Sequence, residues 1–275
     1  MSQGVPDVMI QAVHLPESAE AVAVHSARGG WIMGGGTVVM PLVNSGAATR
    51  SELVSLRRAG LAGIEVRDGV ARIGAAAPLS SVEEHPELAF LRPALRTIAS
   101  PTIRNLATVG GNLFVAQPYG DLAVCLLALD ATCEIAGPDG RRDAPVAEVL
   151  ASGIAEGEFV TAVVTALPEP ETWYYHKAMR RKLNSASIVT VASVTRTADG
   201  VVTSTRIALG GVAPRPVRAV SAERLLRDRP LSPEVLTEAG QAARADTAPF
   251  DDAYASAWYR ARVLPVHLRR AFVGR

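Results

Sequence analysis

The sequence predicts an α+β protein of two or three packed units. Three observations carry that reading. Runs of strand composition cluster instead of alternating regularly with helices, so few βαβ units are present. A tight hairpin is written at Asp68-Gly69, where two β-rich runs meet a dipeptide whose glycine tolerates positive φ. Beyond Pro168, three successive strand-like runs give way to helical ones, the order expected of an α+β unit. With 275 residues, 48% of them hydrophobic, the chain can bury a core of the size this requires.

Taken in order, VMIQAVHLP (8–16) has strand composition and stops at a proline. SAEAVAVHSAR (18–28) follows as a helix with Ser18 as N-cap. A short strand around Trp31–Met33 leads into the glycine turn of GGGT (34–37) and a further apolar segment. GIEVRDGVARIGA (63–75) is the hairpin. Ser81 and Glu84 have capping-box spacing, and the helix they open is expected to run through LRPALRTIAS to Ser100-Pro101. DLAVCLLALDA (121–131) reads as a buried helix, TCEIAGPDGRRDAPV as a strand and a turn, and GEFVTAVVTALP (157–168) as another strand. WYYHKAMRR, SIVTVASVTRT and VVTSTRIALGG supply the three later strands, the last two joined at Asp199-Gly200. SAERLLRDR and SPEVLTEAGQAARAD read as helices capped by Ser221 and Ser232. SAWYRARVLPVHLRRAF is also helical, with Pro265 expected to kink or interrupt it. Boundaries near 57 and 171 divide the chain into 1–57, 58–171 and 172–275.

Composition narrows the function. A formal net charge of +1 leaves no electrostatic footprint for nucleic acid. No apolar run approaches a bilayer span, and MSQGVPDVMI lacks the basic and apolar regions of a signal peptide, so a cytoplasmic protein is expected. Cys125 and Cys133 read as buried, reduced thiols. There is no CxxC pair, and the five histidines are scattered, so no iron–sulfur, zinc or other metal site is expected in this chain.

The chemistry lies in two glycine turns. GGGT exposes backbone N–H groups with no Cβ to block approach, a surface suited to phosphate, although it is neither GxGxxG nor a Walker A loop. TVGGN (108–112) offers a second such run, with bare Gly110 and Gly111, the Thr108 hydroxyl and the Asn112 amide. Asp121 could take a ribose hydroxyl pair or merely cap the helix it begins. Either turn alone is equally a corner or a bulge. Together they could clamp one pyrophosphate, which permits a dinucleotide without saying which.

WIMGGGTVVMP, IRNLATVGGNL, YGDLAVCLLALDA, YYHKAMRR and RIALGGVAPRPVRA together resemble the FAD-binding medium subunit of the molybdenum hydroxylases, the group that includes bacterial carbon monoxide dehydrogenase and xanthine dehydrogenase. The resemblance covers essentially the whole chain. It implies an FAD-binding PCMH-type fold, shared with vanillyl-alcohol oxidase and MurB, of two α+β subdomains with FAD between them. A carbon monoxide dehydrogenase flavoprotein-like domain, three strands against helices, would follow. The two loops would wrap the FAD pyrophosphate, which carries onto Met33, Gly34, Gly35, Gly36 and Thr37 and onto Thr108, Gly110, Gly111 and Asn112. The family aspartate on the adenosine ribose side matches Asp121, a flavin-ring contact maps to Phe159 or Val160, and a lysine near the ring maps to Lys177.

The resemblance further implies noncovalent FAD and no catalytic residue in this chain. The molybdenum cofactor and two [2Fe–2S] clusters would sit on partner subunits, a small and a large one, in a dimer of heterotrimers. Electrons would pass from the clusters through FAD to NAD, a quinone or another acceptor. The sequence departs from the family pattern at Gly36, Val38, Gln117, Tyr119 and Asn184; side chains at Gln117 and Tyr119 could shield the flavin ring. Rival readings are a stand-alone FAD-dependent oxidoreductase, an NAD(P) enzyme with a Rossmann domain and a non-enzymatic binding module.

Overall fold

The computed structural model describes residues 8–181 and 185–273; the departure noted at Asn184 lies outside them. Three short strands, β1 (Ala12–His14), β2 (Trp31–Met33) and β3 (Glu52–Ser55), make a parallel sheet in the order β1-β3-β2. The helix Ala19–Ala27 connects β1 to β2, and the Ser18 hydroxyl accepts from the Ala21 N–H at 3.2 Å, the cap expected.

Five strands form the second, antiparallel sheet: β4 (Ile64–Arg67), β5 (Val70–Gly74), β6 (Thr132–Gly137), β7 (Gly140–Pro145) and β8 (Phe159–Ala166), in the order β4-β5-β8-β6-β7. Asp68 and Gly69 both take positive φ, 50° and 74°, the geometry of a two-residue hairpin turn. Residues 75–131, inserted between β5 and β6, hold the second glycine loop and the helix Asp121–Ala128, all eight of whose residues are buried.

The last sheet, also antiparallel, contains β9 (Trp173–Met179), β10 (Ser187–Ala198), β11 (Val201–Gly210) and β12 (Val217–Arg218), ordered β12-β11-β10-β9. The two-residue β12 adds a fourth strand to the three expected. Helix Asp121–Ala128 packs on one face of β10 and β11, and the helix Ala257–Val273 on the other face of the sheet. Hence β10 is buried without interruption from Ser187 to Thr195, as a strand covered on both faces must be. One core joins Ile73, Val163 and Leu126 to Val194 and Ala208, so it crosses from the second sheet into the third.

Several local expectations are corrected. Ser81 is not a cap: the helix is Leu79–Glu84 and starts after Pro78, whose backbone bridges to Thr108. The helix expected from Ser81 to Ser100 breaks into short pieces, and Ser100-Pro101 opens a new one, with Ser100 accepting from Ile103 N. Ser221 lies inside the helix Val220–Leu226, its N–H and hydroxyl both donating to Asp246, whereas Ser232 caps as expected. Pro265 does not interrupt the last helix, which runs continuously through it.

Candidate cofactor site

The two glycine loops touch. The first leaves the end of β2 and the second follows the strand exit of β5, where Gly110 N–H donates to Ala75 O at 2.8 Å and Val109 N–H to Ala77 O at 3.0 Å. A Cβ on Gly34 would collide with Thr108 Oγ1, and one on Gly35 with the Leu106 carbonyl oxygen. Glycine is therefore required at Gly34 and Gly35 for the close approach itself. Both loops line one cavity of about 580 Å³, inside the roughly 300–1,000 Å³ span of small-molecule pockets.

The second loop is not a bulge or bare corner. It is a short helix, Val109–Leu113, with Thr108 as its N-cap, accepting from Gly111 N–H at 3.2 Å. The Gly110 and Gly111 N–H groups are thus already satisfied. In the first loop, among the described residues, the Gly35, Gly36 and Thr37 N–H groups make no hydrogen bond. Only one of the two turns presents free backbone donors; the other supplies the wall that holds it in place.

Of the residues expected at the site, Gly34, Gly35, Gly36, Thr37, Thr108, Gly110, Gly111, Asn112, Phe159 and Val160 line the cavity, and Met33, Asp121 and Lys177 do not. Asn112 Oδ1 accepts from Ala123 N–H at 3.2 Å, tying the second loop to helix Asp121–Ala128. Asp121 and Lys177 meet each other. Lys177 Nζ lies 2.8 Å from Asp121 Oδ2 and donates to Thr97 O at 2.9 Å. Asp121 Oδ1 accepts from Ser187 Oγ at 2.7 Å and Thr190 Oγ1 at 2.6 Å. Their side chains are 5% and 3% exposed for Asp121 and Lys177, a buried pair that joins helix Asp121–Ala128 to β9. Asp121 is the first helical residue, preceded by Gly120 at φ 80°, so it does not occupy the cap position.

Burial first, then the Asp121 charge, pushes the Tyr175 hydroxyl and the Cys125 thiol well above their ordinary pKa values. Burial pushes the Cys133 thiol up to about 12. Both cysteines are free and buried. Gln117 accepts from Gly211 N–H at 2.6 Å and donates to Tyr119 O at 2.8 Å, and the Tyr119 and Tyr254 hydroxyls lie 2.8 Å apart. These side chains tie the segment after the second loop to Gly211 and Tyr254 and do not line the cavity.

Sequence reasoning missed Trp31, Arg50, Phe114, Val115 and the segment Ile154–Glu158, all of which line the cavity. Phe114 had a signal: a large aromatic directly after a glycine turn, and it is 51% exposed. Arg50 and residues 154–158 had none, because they arrive from distant loops.

These features define the class, an α+β dinucleotide-binding unit closed by a second α+β unit. Residues 7–169 match the family described as the FAD binding domain in molybdopterin dehydrogenase, and residues 173–274 that described as the CO dehydrogenase flavoprotein C-terminal domain. The chain is 31% identical over 270 residues to the carbon monoxide dehydrogenase medium chain of Afipia carboxidovorans, covering 94% of each chain. It is 33% identical over 249 residues to the 6-hydroxypseudooxynicotine dehydrogenase complex subunit alpha of Paenarthrobacter nicotinovorans, covering 87% of this chain and 84% of that one. The reconstituted CO dehydrogenase from Oligotropha carboxidovorans superposes with a TM-score of 0.89 at 29% identity, covering 99% and 98% of the two chains. The chain belongs to the molybdenum hydroxylase family, as an FAD-binding medium subunit of an oxidoreductase complex. The residues present fit that cofactor: three unengaged N–H groups stand on a loop whose Gly34 and Gly35 must be bare to pack against Thr108 and Leu106 beside the shared cavity.

Proposed function

We propose that this chain is the electron-transfer subunit of a cytoplasmic molybdenum-containing dehydrogenase, a dimer of heterotrimers with a [2Fe–2S] small subunit and a molybdenum-binding large subunit. FAD held in the cavity would supply the redox chemistry that links the clusters to NAD, a quinone or another external acceptor. The observation that carries the reading is the contact of the two glycine loops over one cavity.

The chain's own residues bind and position. Gly35, Gly36 and Thr37 would donate N–H groups to the diphosphate. Thr108 packs against Gly34, and Gly110 and Gly111 line the same cavity with their N–H groups bound to Ala75 O and Thr108 Oγ1. Val38, Leu42, Phe114 and Val115 add apolar surface to the cavity lining, which suits a flat aromatic ring. Phe159 and Val160, from β8, line the cavity too and remain candidates for ring contact. The Asp121–Lys177 pair would act from outside the cavity, by fixing helix Asp121–Ala128, to which Asn112 ties the second loop. The division at 1–57, 58–171 and 172–275 is part of the same proposal.

Purification tests it. The protein, expressed with its neighbouring subunits, should be yellow and release one FAD per chain on acid denaturation. A folded, colourless protein that takes up no added FAD would refute the reading. Copurification of a cysteine-rich small chain and a large molybdenum chain separates this reading from a stand-alone flavoprotein.

A further inference from the structure

The cofactor reading leaves one role unfilled. Dinucleotide sites commonly hold a ribose diol with a carboxylate, which accepts two hydroxyl protons at once. Asp121 is spent: its two oxygens take Lys177, Ser187 and Thr190, and it does not line the cavity. Among the described residues, the cavity lining carries two carboxylates, Glu156 and Glu158. Glu158 is also spent. It takes Arg142 Nε and Nη2 at 2.7 and 2.8 Å and the Ala155 N–H at 2.8 Å.

Glu156 is different. Its one partner among the described residues is Arg50, whose Nη2 lies 3.4 Å from Glu156 Oε1, and the Glu156 side chain is 82% exposed at the cavity mouth. That distance is long for a charged pair, and such solvent-exposed pairs are weak. Arg50 itself is fixed by a second, stronger bond, Nη1 to Gly29 O at 2.7 Å. It is the one cation in the lining described.

Position agrees with the chemistry. Gly29 and Gly30 precede β2, and the free donors of the first loop follow it. At about 3.3 Å per residue, the three-residue strand and its flanks separate the two places by roughly 10–16 Å. The diphosphate therefore belongs at one end of β2 and the Arg50–Glu156 pair near the other. Val38 directly follows the free donors in the chain, whereas Arg50 is anchored on Gly29, before β2. A polar, carboxylate-bearing end suits the adenosine half of the dinucleotide and not the flavin ring.

We propose that Glu156 is the acceptor for the adenosine ribose diol of FAD, and that Arg50, anchored on Gly29 O, is its positioning residue. The assignment rests on the cofactor reading. On nucleotide entry, Glu156 keeps its contact with Arg50 and receives the ribose hydroxyls on its remaining lone pairs.

The test compares FAD with its 2′-deoxyadenosine analogue, by quenching of flavin fluorescence on the apo form of the full-length chain. Wild-type protein should bind FAD at least about tenfold more tightly than the deoxy analogue, the factor expected for a hydrogen bond to a charged group. Glu156→Gln should reduce that preference several-fold and weaken FAD itself. Arg50→Met should lower the preference, and Arg50→Lys should restore part of it; no difference between these two overturns the positioning role. Equal binding of both ligands by the wild type, or an undiminished preference in Glu156→Gln, overturns the assignment. Because Glu156 is exposed, its replacement leaves the fold intact, which circular dichroism verifies. A wild-type chain that binds neither ligand overturns the cofactor reading instead.

Discussion

Gly35 tolerates no side chain, because a Cβ there meets the Leu106 carbonyl across the loop contact. Gly35→Ala should therefore push the two loops apart, giving FAD-free protein and a loss of about 1–3 kcal/mol, as for other overpacked sites. Absorbance at the flavin bands and a thermal melt check both. Gly110 behaves differently from the simple expectation that a side chain would fill the phosphate position. Its Cβ would point at Ala75, 2.9 Å from that residue's Cβ and 3.1 Å from its carbonyl oxygen. Gly110→Val should first destabilise the fold, and in a melt of the FAD-loaded protein release of flavin should track unfolding. Lys177→Ala leaves the Asp121 carboxylate buried with its cationic partner removed, a change that costs about 3–5 kcal/mol in comparable pairs. Urea denaturation should show that loss, and Asp121→Asn in the same chain should recover much of it.

At the scale of elements, β9 and the helix Ala257–Val273 meet through two histidines. His176 Nε2 lies 3.0 Å from His267 Nδ1, with the rings stacked at 5.2 Å. Burial first, then His176 and Arg270, hold the pKa of His267 down to about 4, and burial and Arg270 also lower that of His176. The fold thus favours neutral rings. This contribution is fully present above the ordinary histidine value of 6.5 and is lost as pH falls from there through about 4. The melting temperature should drop across that window, and His267→Gln should flatten the drop. The same helix crosses Pro233–Ala242 at Gly240, where a Cβ would lie 2.5 Å from Pro265 Cα. That close crossing places the proline against a partner instead of breaking the helix. Local sequence supported an interruption because it reads the missing hydrogen bond and not the neighbour that packs there. Caps divide in the same way. Ser18 and Ser232 were legible because their partners lie three residues on, whereas Ser221 is claimed by the distant Asp246.

The largest of three core clusters joins the second sheet to the third. Leu122–Leu129 pack with Ile73 and Val163 on one side and with Ala192, Val194 and Ala208 on the other. A fragment ending at residue 171 would expose that apolar face. It should bind the dye ANS or aggregate, and the full chain should unfold in one transition when followed by both tryptophan fluorescence and circular dichroism. No helix among the described residues is long and apolar enough to cross a membrane. The cavity, by contrast, belongs to the first two sheets and the loops between them.

The residues determined much by themselves: the hairpin at Asp68-Gly69, the buried helix after Gly120, the three long strands of the last sheet and the two glycine loops. These are local properties, since periodicity and turn chemistry act over a few neighbouring residues. The tertiary structure alone decided which N–H groups stay free, that Asp121 spends its charge on Lys177, and that Arg50 meets Glu156 from 106 positions away. The availability of a donor or a charge depends on what lies opposite it. That partner is chosen by the packing of distant segments, which no short stretch of chain encodes.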